Sequence, residues 1–319
     1  MSHEHWAFSI ALGSQPIAQS FKNMKTAIKY SIIVCVVSWL YAAIMIFGLG
    51  IKSVSAEPMK YTICASLYML LPLICAGTRL ATSKNTGTRL ATSVRQLLRF
   101  KIKPSWFIAW ILPVVIVLLT IFVNSLFPNC EFNTDMSSLI PVEMTPSFMI
   151  VTTIISGLFA GATINALFAF GEEYGWRNYL VAALKEKKFV FASIFIGVVW
   201  GIWHFPLILL GHNYPQHSVA GVFMMVIFCV LASFVELYFV LKAKSVYPAA
   251  IFHGTINAVA GLNVLLIKGG NDLLNGVCGL SGFIVITIVI AIIFVIDRYV
   301  CKDNIFSKTI GEVLDNGER

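Results

Sequence analysis

Six polar residues interrupt apolar stretches of this chain, and their types suit hydrolytic chemistry. They are Glu172, Glu173, Arg177, His204, His253 and Asn257. A carboxylate held away from bulk water can act as a general base toward a water molecule. Imidazole and carboxamide groups can donate hydrogen bonds to an oxyanion that develops on an attacked carbonyl. Together these groups indicate hydrolysis of an amide without a covalent intermediate.

The spacing of these residues divides them into roles. Glu173 and Arg177 are four positions apart, so on a helix they share a face and are expected to form an ion pair. Glu172 is turned by about 100° from Glu173, which leaves its carboxylate available for other chemistry. His253 and Asn257 are also four positions apart and should present two hydrogen-bonding groups on one face.

The depth of the polar residues in the membrane can be counted along the helices from the nearest basic loop. At about 1.5 Å per residue, four of them lie roughly 14 to 24 Å from that loop, inside a hydrocarbon core about 30 Å thick. These four are Glu172, His204, His253 and Asn257. Glu236 is placed near the inner end of its span, where it is expected to extend toward Lys242, and it is left out of the site. His212 and His217 are expected to be solvated loop residues.

A metal site is the alternative for the same residues. Glu172, His204 and His253 could hold Zn²⁺, since two histidines and one carboxylate form a known catalytic zinc set. The chain has no HExxH motif, so a metal-free site without a cofactor is favoured. The seven cysteines are scattered and show no CxxC pair, so neither a disulfide framework nor a cysteine metal site is expected.

The composition indicates a membrane protein. Of the 319 residues, 58% are hydrophobic and 12% are charged, against about a quarter charged in soluble domains. We predict an all-α, polytopic membrane bundle of about eight transmembrane helices. The predicted spans are roughly 27–50, 61–80, 105–127, 150–183, 189–211, 218–241, 246–267 and 279–297. The fourth is too long for one plain span. The domains predicted are a cytoplasmic segment 1–26, a transmembrane domain 27–300 with a motif-bearing core at about 150–265, and a cytoplasmic tail 301–319.

The distribution of charge predicts the orientation of the bundle. Alternate loops are rich in Lys and Arg, while 128–147 holds three acids and no base and 212–217 holds neither Lys nor Arg. The positive-inside rule then places both termini in the cytoplasm. The net charge of +8 fits anionic lipid, and no nucleic-acid partner is expected. No signal peptide is evident, and the chain is predicted to be a multi-pass protein of a bacterial cytoplasmic membrane.

Two smaller patterns concern packing and the basic loop. Small residues are expected to let the site helices approach closely. They are Gly157, Gly161, Gly197, Gly201 and Gly254. The heptapeptide GTRLATS occurs at 77–83 and again at 87–93, and it is interpreted as a local duplication without an assigned function.

Three motifs resemble those of the CPBP intramembrane proteases, the CAAX-protease and bacteriocin-processing (Abi) family. EEYGWR at 172–177 is similar to EExxxR, and HGTIN at 253–257 is similar to HxxxN. WGIWH at 200–204 resembles FxxxH, with Trp200 where the family usually has Phe. That difference is expected to change packing or cavity width and not the catalytic set. The order and spacing of the motifs agree with the family.

The resemblance implies an intramembrane endopeptidase that cuts a small peptide or a lipidated, CAAX-type tail. Glu172 would activate water beside His204, while His253 and Asn257 would stabilise the oxyanion. Glu173 and Arg177 would brace the site. The cavity is expected to open to the cytoplasmic side. One alternative is a non-proteolytic adaptor that binds membrane partners in sensor-kinase regulation, surface display or bacteriocin immunity. A proton-coupled transporter is disfavoured because no inverted repeat is evident.

Overall fold

A computed structural model describes residues 3–82, 89–133 and 145–315, with the side chains of 3–21, 89 and 146 excepted. Within these residues the chain is a helical bundle with one short pair of strands. The α-helices are α1 His3–Ala43, α2 Pro58–Tyr68, α3 Leu71–Ala81, α4 Arg89–Leu97, α5 Pro104–Asn124, α6 Pro146–Ala162, α7 Ile164–Glu173, α8 Val181–Ala183, α9 Phe189–Trp203, α10 Phe205–Leu209, α11 Ser218–Ala243, α12 Tyr247–Val259, α13 Leu262–Leu266, α14 Leu280–Val295 and α15 Ile310–Asp315.

Three π-helical segments, one 3₁₀ turn and two short strands complete the described secondary structure. Ile44–Gly48, Tyr174–Leu180 and Ile296–Val300 are π-helical, and Ile305–Ser307 is a 3₁₀ turn. Strands β1 Cys130–Phe132 and β2 Ile267–Gly269 pair antiparallel, with Glu131 opposite Lys268. The second GTRLATS copy begins in the stretch before α4, and the linker 84–86 between the copies lies outside the described residues.

The predicted polytopic helical bundle is confirmed, but its count of eight spans is not. Six helices in the described part of the chain are long and apolar enough to cross a membrane, and a bent helix pair would make a seventh. The span predicted at 189–211 corresponds to α9, which has 15 residues, followed by the separate short helix α10. Fifteen residues rise about 22 Å, less than the hydrocarbon thickness.

The fourth predicted span is the bent pair, which explains its excessive length. Ser147–Ala162 and Ile164–Ala183 meet at an angle of 49°. Thr163 lies at the break with φ −120° and ψ −99°, outside the helical region, and its hydroxyl donates to the Phe159 carbonyl at 2.7 Å. Threonine hydroxyls that bond the carbonyl four residues back compete with the helical hydrogen bonds and bend helices.

The five glycines predicted at close helix contacts all lie at such contacts. A Cβ at Gly197 would meet Val230 Cα at 2.4 Å, and one at Gly201 would meet Val226 Cα at 2.5 Å. Gly161 and Gly254 bring the backbones of α6 and α7 equally near that of α12, while a Cβ at Gly157 would meet the Val259 side chain at 2.4 Å. Any side chain at these positions would push two backbones apart, so the glycines set the separation between the helices that carry the site.

The loops gather at two opposite ends of the bundle. At one end the Val54 amide donates to the Leu210 carbonyl, β1 pairs with β2, and the Gln216 amide donates to Asp272. We call it the loop end. At the other, the basic end, Lys103 Nζ donates to the Lys242 carbonyl and the Ile310 amide donates to the Lys187 carbonyl. The basic loops of the sequence therefore share one end of the molecule.

Candidate active site

Glu172 lies one residue before the end of α7 and is almost fully buried, with 2% of its surface exposed. Its Oε2 atom accepts a hydrogen bond from the indole Nε1 of Trp200 at 2.6 Å and a second from Trp176 at 3.4 Å. Two donors to one carboxylate oxygen hold the group in one orientation. Glu172 is thus a buried acid whose position is set by two tryptophans.

Glu173 and Arg177 form the predicted ion pair, with Arg177 Nη1 at 3.1 Å from Glu173 Oε1. Arg177 also donates to Ser233 Oγ at 3.1 Å and pairs with Glu236. Its guanidinium carbon lies 4.1 Å from the centre of the Trp200 ring, a cation–π contact. Arg177 is fully buried, so these partners replace the water that the charge has lost.

The placement of Glu236 corrects the sequence analysis, which left this residue out of the site. Glu236 does not extend toward Lys242: 1% of it is exposed, and its carboxylate faces Arg177 and lines the site cavity. The error follows from counting residues along one helix, because a buried partner on another helix outweighs the pull of the nearer surface.

His204 caps the end of α9, and its contacts decide which ring nitrogen carries the proton. Nδ1 lies 2.8 Å from the Trp200 carbonyl oxygen. A carbonyl only accepts, so Nδ1 is the protonated nitrogen and Nε2 keeps a lone pair in the neutral ring. The Trp203 ring packs edge-on against the imidazole at 4.8 Å and fixes its tilt.

His253 and Asn257 lie one turn apart on α12, as their spacing predicts. Nδ1 of His253 is 2.9 Å from Glu173 Oε1, and this contact orients the ring. The Trp200 ring packs edge-on against His253 at 5.3 Å. Asn257 is exposed to the cavity that His253 lines.

One cavity of about 780 Å³ brings the four predicted site residues together. Its lining includes Glu172, His204, His253 and Asn257. The remainder comes from aromatic and aliphatic side chains of α2, α9, α11 and α12 and from polar residues of the loops at 210–217 and 267–279. This volume admits a short peptide segment.

The two loop histidines predicted to be solvated have defined partners. The His212 ring lines the cavity and is stacked 6.5 Å from His204, and burial lowers the pKa of His212 to about 4. His212 is therefore neutral at physiological pH. Nδ1 of His217 lies 2.6 Å from Asp272, across the two loops that line the cavity.

The zinc set considered from sequence does not come together as metal ligands. In the described part of the chain, the three groups with ligand atoms within 4.8 Å of one another are Glu173, Glu236 and His253. Arg177 pairs with both of these carboxylates, so a cation of the chain itself already lies between them. The arrangement does not fit a metal ion without displacement of Arg177.

Sequence reasoning missed three partners of the site residues. Glu236 carried a signal, because it is an acid inside an apolar helix. Trp200 was noted only as a replacement for Phe, although an indole offers a donor that a phenyl ring lacks. Trp176 lies within the EExxxR segment, four positions after Glu172, and that spacing alone predicts its contact.

Comparison with known proteins gives two matches. The family model for the Rce1-like type II CAAX prenyl endopeptidases matches residues 154–259, the segment that contains all three motifs. CAAX prenyl protease 2 of Methanococcus maripaludis is 27% identical over 210 residues, which cover 60% of this chain and 72% of that protein.

Proposed function

Both matches support membership of the CAAX-protease and bacteriocin-processing family, and on that premise we propose that this chain is an intramembrane endopeptidase with Glu172 as its general base. The observation that carries the proposal is the single cavity shared by Glu172, His204, His253 and Asn257. Helices that line this cavity, α2, α11 and α12, belong to the apolar spans of the bundle, which supports a site within the membrane. A base and two oxyanion donors that face one peptide-sized space are the elements of water-mediated amide hydrolysis.

The proposed reaction uses only groups of the chain. Glu172 takes a proton from a water molecule, and the water oxygen attacks the peptide carbonyl carbon. Nε2 of His204, which keeps a lone pair, accepts a hydrogen bond from the same water and orients it. The carbonyl oxygen becomes an oxyanion and receives hydrogen bonds from His253 and Asn257. The tetrahedral intermediate then expels the amine, which takes the proton from Glu172.

The surrounding charges hold this arrangement in place. The Nδ1 atom of His253 lies against the Glu173 carboxylate, and in the proposed step the ring also carries a proton on Nε2, which it donates to the oxyanion. Arg177 balances Glu173 and Glu236, so that Glu172 is the carboxylate left to the two indoles. The proposed substrate is a peptide or a lipidated protein tail, a class to which the printed name of the M. maripaludis relative also points.

The test is cleavage of a quenched peptide library by the purified protein in detergent. Wild type is expected to cleave, while Glu172→Ala and His204→Ala lose activity and still accumulate in the membrane. Loss of about 100-fold to 10,000-fold is expected from removal of a general base. Trp110→Phe is the control, because Trp110 bonds the Leu158 carbonyl away from the cavity. Full cleavage by Glu172→Ala would contradict the proposal, because another group would then activate the water, whereas no cleavage by wild type would favour an adaptor.

A further inference from the structure

The cavity reaches the surface at the loop end of the bundle. Its lining there includes Gln216 and Gly270, which are exposed, and Asn271 and Asp272, which are half-buried. Asp272 accepts hydrogen bonds from the Gln216 and His217 amides and pairs with the His217 ring, so the two mouth loops are held together. Among the residues that the structure describes, no lysine or arginine lines this cavity.

The opposite end carries most of the positive charge of the described chain. Its basic residues are Arg79, Arg95, Arg99, Lys101, Lys103, Lys185, Lys187, Lys188, Lys242, Lys244, Arg298, Lys302 and Lys308. At the loop end the described cations are Lys52, Lys60 and Lys268. Cytoplasmic loops are enriched in Lys and Arg, so this asymmetry orients the basic end toward the cytoplasm.

The mouth of the cavity and the Lys- and Arg-rich loops thus lie at opposite ends of the bundle. We propose that the substrate enters from the non-cytoplasmic face and is an exported peptide, or the outer juxtamembrane segment of a surface protein. This proposal rests on the proposed endopeptidase function and replaces the expectation of a cavity open to the cytoplasm. The depth count agrees with it, because Glu172 lies about 20 Å along the chain from Lys185 at the basic end.

The chemistry of the mouth narrows the substrate class. The Asp272 carboxylate is engaged by the His217 ring and by the Gln216 and His217 amides, and amide side chains also line the mouth, including Asn213, Asn271 and Asn275. A hydrogen-bonding mouth whose carboxylate is already engaged by the loops suits peptide backbone and uncharged polar side chains. The expected substrate presents an uncharged polar segment next to its scissile bond.

Cysteine accessibility in intact cells tests the orientation. Cys301 is a free, exposed cysteine near the basic end and serves as a native reporter. A second chain carries Gln216→Cys at the mouth in a Cys301→Ser background, and Cys301→Ser alone is the control for the other cysteines. We expect a membrane-impermeant maleimide to label Gln216→Cys in intact cells and Cys301 only after permeabilisation. Labelling of Cys301 in intact cells, with Gln216→Cys labelled only after permeabilisation, would overturn the proposal, and this result does not depend on enzymatic activity.

Cleavage in oriented membranes tests the substrate side. A membrane-impermeant quenched peptide is added to spheroplasts and, separately, to inverted vesicles, with Glu172→Gln in parallel. Cleavage by spheroplasts alone is expected. Cleavage by inverted vesicles alone would overturn the entry side and leave the endopeptidase intact. If detergent-solubilised protein also fails to cleave, the endopeptidase itself is contradicted, while the labelling still decides the orientation.

A separate observation concerns Trp200, which contacts four groups of the site. Its indole donates to Glu172 at 2.6 Å, its ring lies against Arg177 and His253, and its carbonyl accepts from His204. Phenylalanine, the usual residue of the resembling motif, would keep the ring contacts and the backbone carbonyl. It would lose only the donor to Glu172.

We infer that Trp200 is a positioning residue that fixes Oε2 of Glu172, so that the other carboxylate oxygen is presented to the attacking water. This role also rests on Glu172 as the base. A positioned base lowers the barrier of the chemical step and contributes little to substrate binding. Removal of the donor should therefore lower kcat and leave KM nearly unchanged.

The test compares three tryptophan variants in the peptide assay. Trp200→Phe is expected to lower kcat by about 10-fold to 100-fold, as for loss of a hydrogen bond to a charged group. Trp176→Phe removes the longer bond and should lower kcat less, and Trp110→Phe should match wild type. Unchanged kcat in Trp200→Phe would overturn the inference. An equal loss of kcat in Trp110→Phe would also overturn it, because the loss would then reflect a general loosening of helix packing and not the bond to Glu172. If Trp200→Phe fails to fold, Trp200→Leu, which also lacks the donor, takes its place, and its unchanged kcat would overturn the inference.

Discussion

Arg177 determines whether three neighbouring carboxylates can coexist in an apolar bundle. It is fully buried and pairs with Glu173 and Glu236, while Glu172 relies on indole donors. An isolated ionised carboxylate in such a place would be strongly destabilised, so a shared counter-charge is required. The two pairings explain why an arginine, with its fork of donors, is suited to this position.

Replacement of Arg177 should therefore lower the stability of the folded protein. Arg177→Met is expected to lower the free energy of unfolding by about 3–5 kcal/mol, because it removes the buried counter-charge that Glu173 and Glu236 share. Lys185→Met is the matched control and should cost less than about 1 kcal/mol, since Lys185 pairs with Asp315 at the surface. Thermal denaturation in detergent measures both. Equal midpoints would contradict this account of Arg177.

The two cavity carboxylates on different helices should differ sharply in their effect on catalysis. Glu172→Gln is expected to lower kcat by about 100-fold or more, because an amide cannot accept the proton. Glu236→Gln keeps the shape and leaves Arg177 paired with Glu173, so a loss below about 10-fold is expected. Steady-state rates on one cleaved peptide compare them. A larger loss for Glu236→Gln would move the base to that residue.

Residue-level contacts were predictable only within single helices. The spacing of Glu173 and Arg177 gave their ion pair, since i and i+4 positions share a face. The Glu236 contact with Arg177 joins distant helices, so no local spacing contains it. The Trp200 bond to Glu172 likewise depends on how α9 packs against α7.

The helices that carry the site are held at short separations by glycine. Gly197 and Gly201 of α9 lie against the backbone of α11, and Gly254 of α12 lies against Gly161 of α6. Without a hydrophobic driving force between helices in lipid, such close packing provides much of the association. The site geometry thus depends on positions that have no chemistry of their own.

Adding one methyl group at a packed glycine should separate these helices. Gly197→Ala places a Cβ 2.4 Å from Val230 Cα, and we expect a loss of about 1–3 kcal/mol in stability, typical of overpacking. Gly77→Ala in α3 is the matched control, because its Cβ would meet nothing within 4 Å. It should be neutral or stabilising by up to about 1 kcal/mol. Thermal midpoints of the two variants in detergent provide the comparison, and equal midpoints would contradict the packing role.

Hydropathy and glycine spacing predicted the elements well, and breaks within them less well. Long apolar runs identified the bundle, because each must avoid water along its whole length. The bend at Thr163 and the short α9 arise from local hydrogen bonds and helix ends, which a hydropathy window averages away. In the sequence, the bend was indicated only by the excessive length of the fourth predicted span.

At the scale of the whole molecule, the chain has a basic end and a loop end with the cavity between them. The positive loops, which are far apart in sequence, converge because alternate connections of an up-and-down bundle share a side. Charge counting could predict that grouping. It could not predict where the cavity opens, because the mouth is made by two loops whose contact through Asp272 is set by the fold.

The central claim is that Glu172 activates water for peptide hydrolysis without a metal. The measurement is cleavage of a quenched peptide library by purified wild type and Glu172→Gln, each with and without a strong zinc chelator. The account predicts cleavage by wild type that the chelator does not change and none by Glu172→Gln. Wild-type cleavage that the chelator abolishes and added Zn²⁺ restores, or cleavage retained by Glu172→Gln, would contradict it.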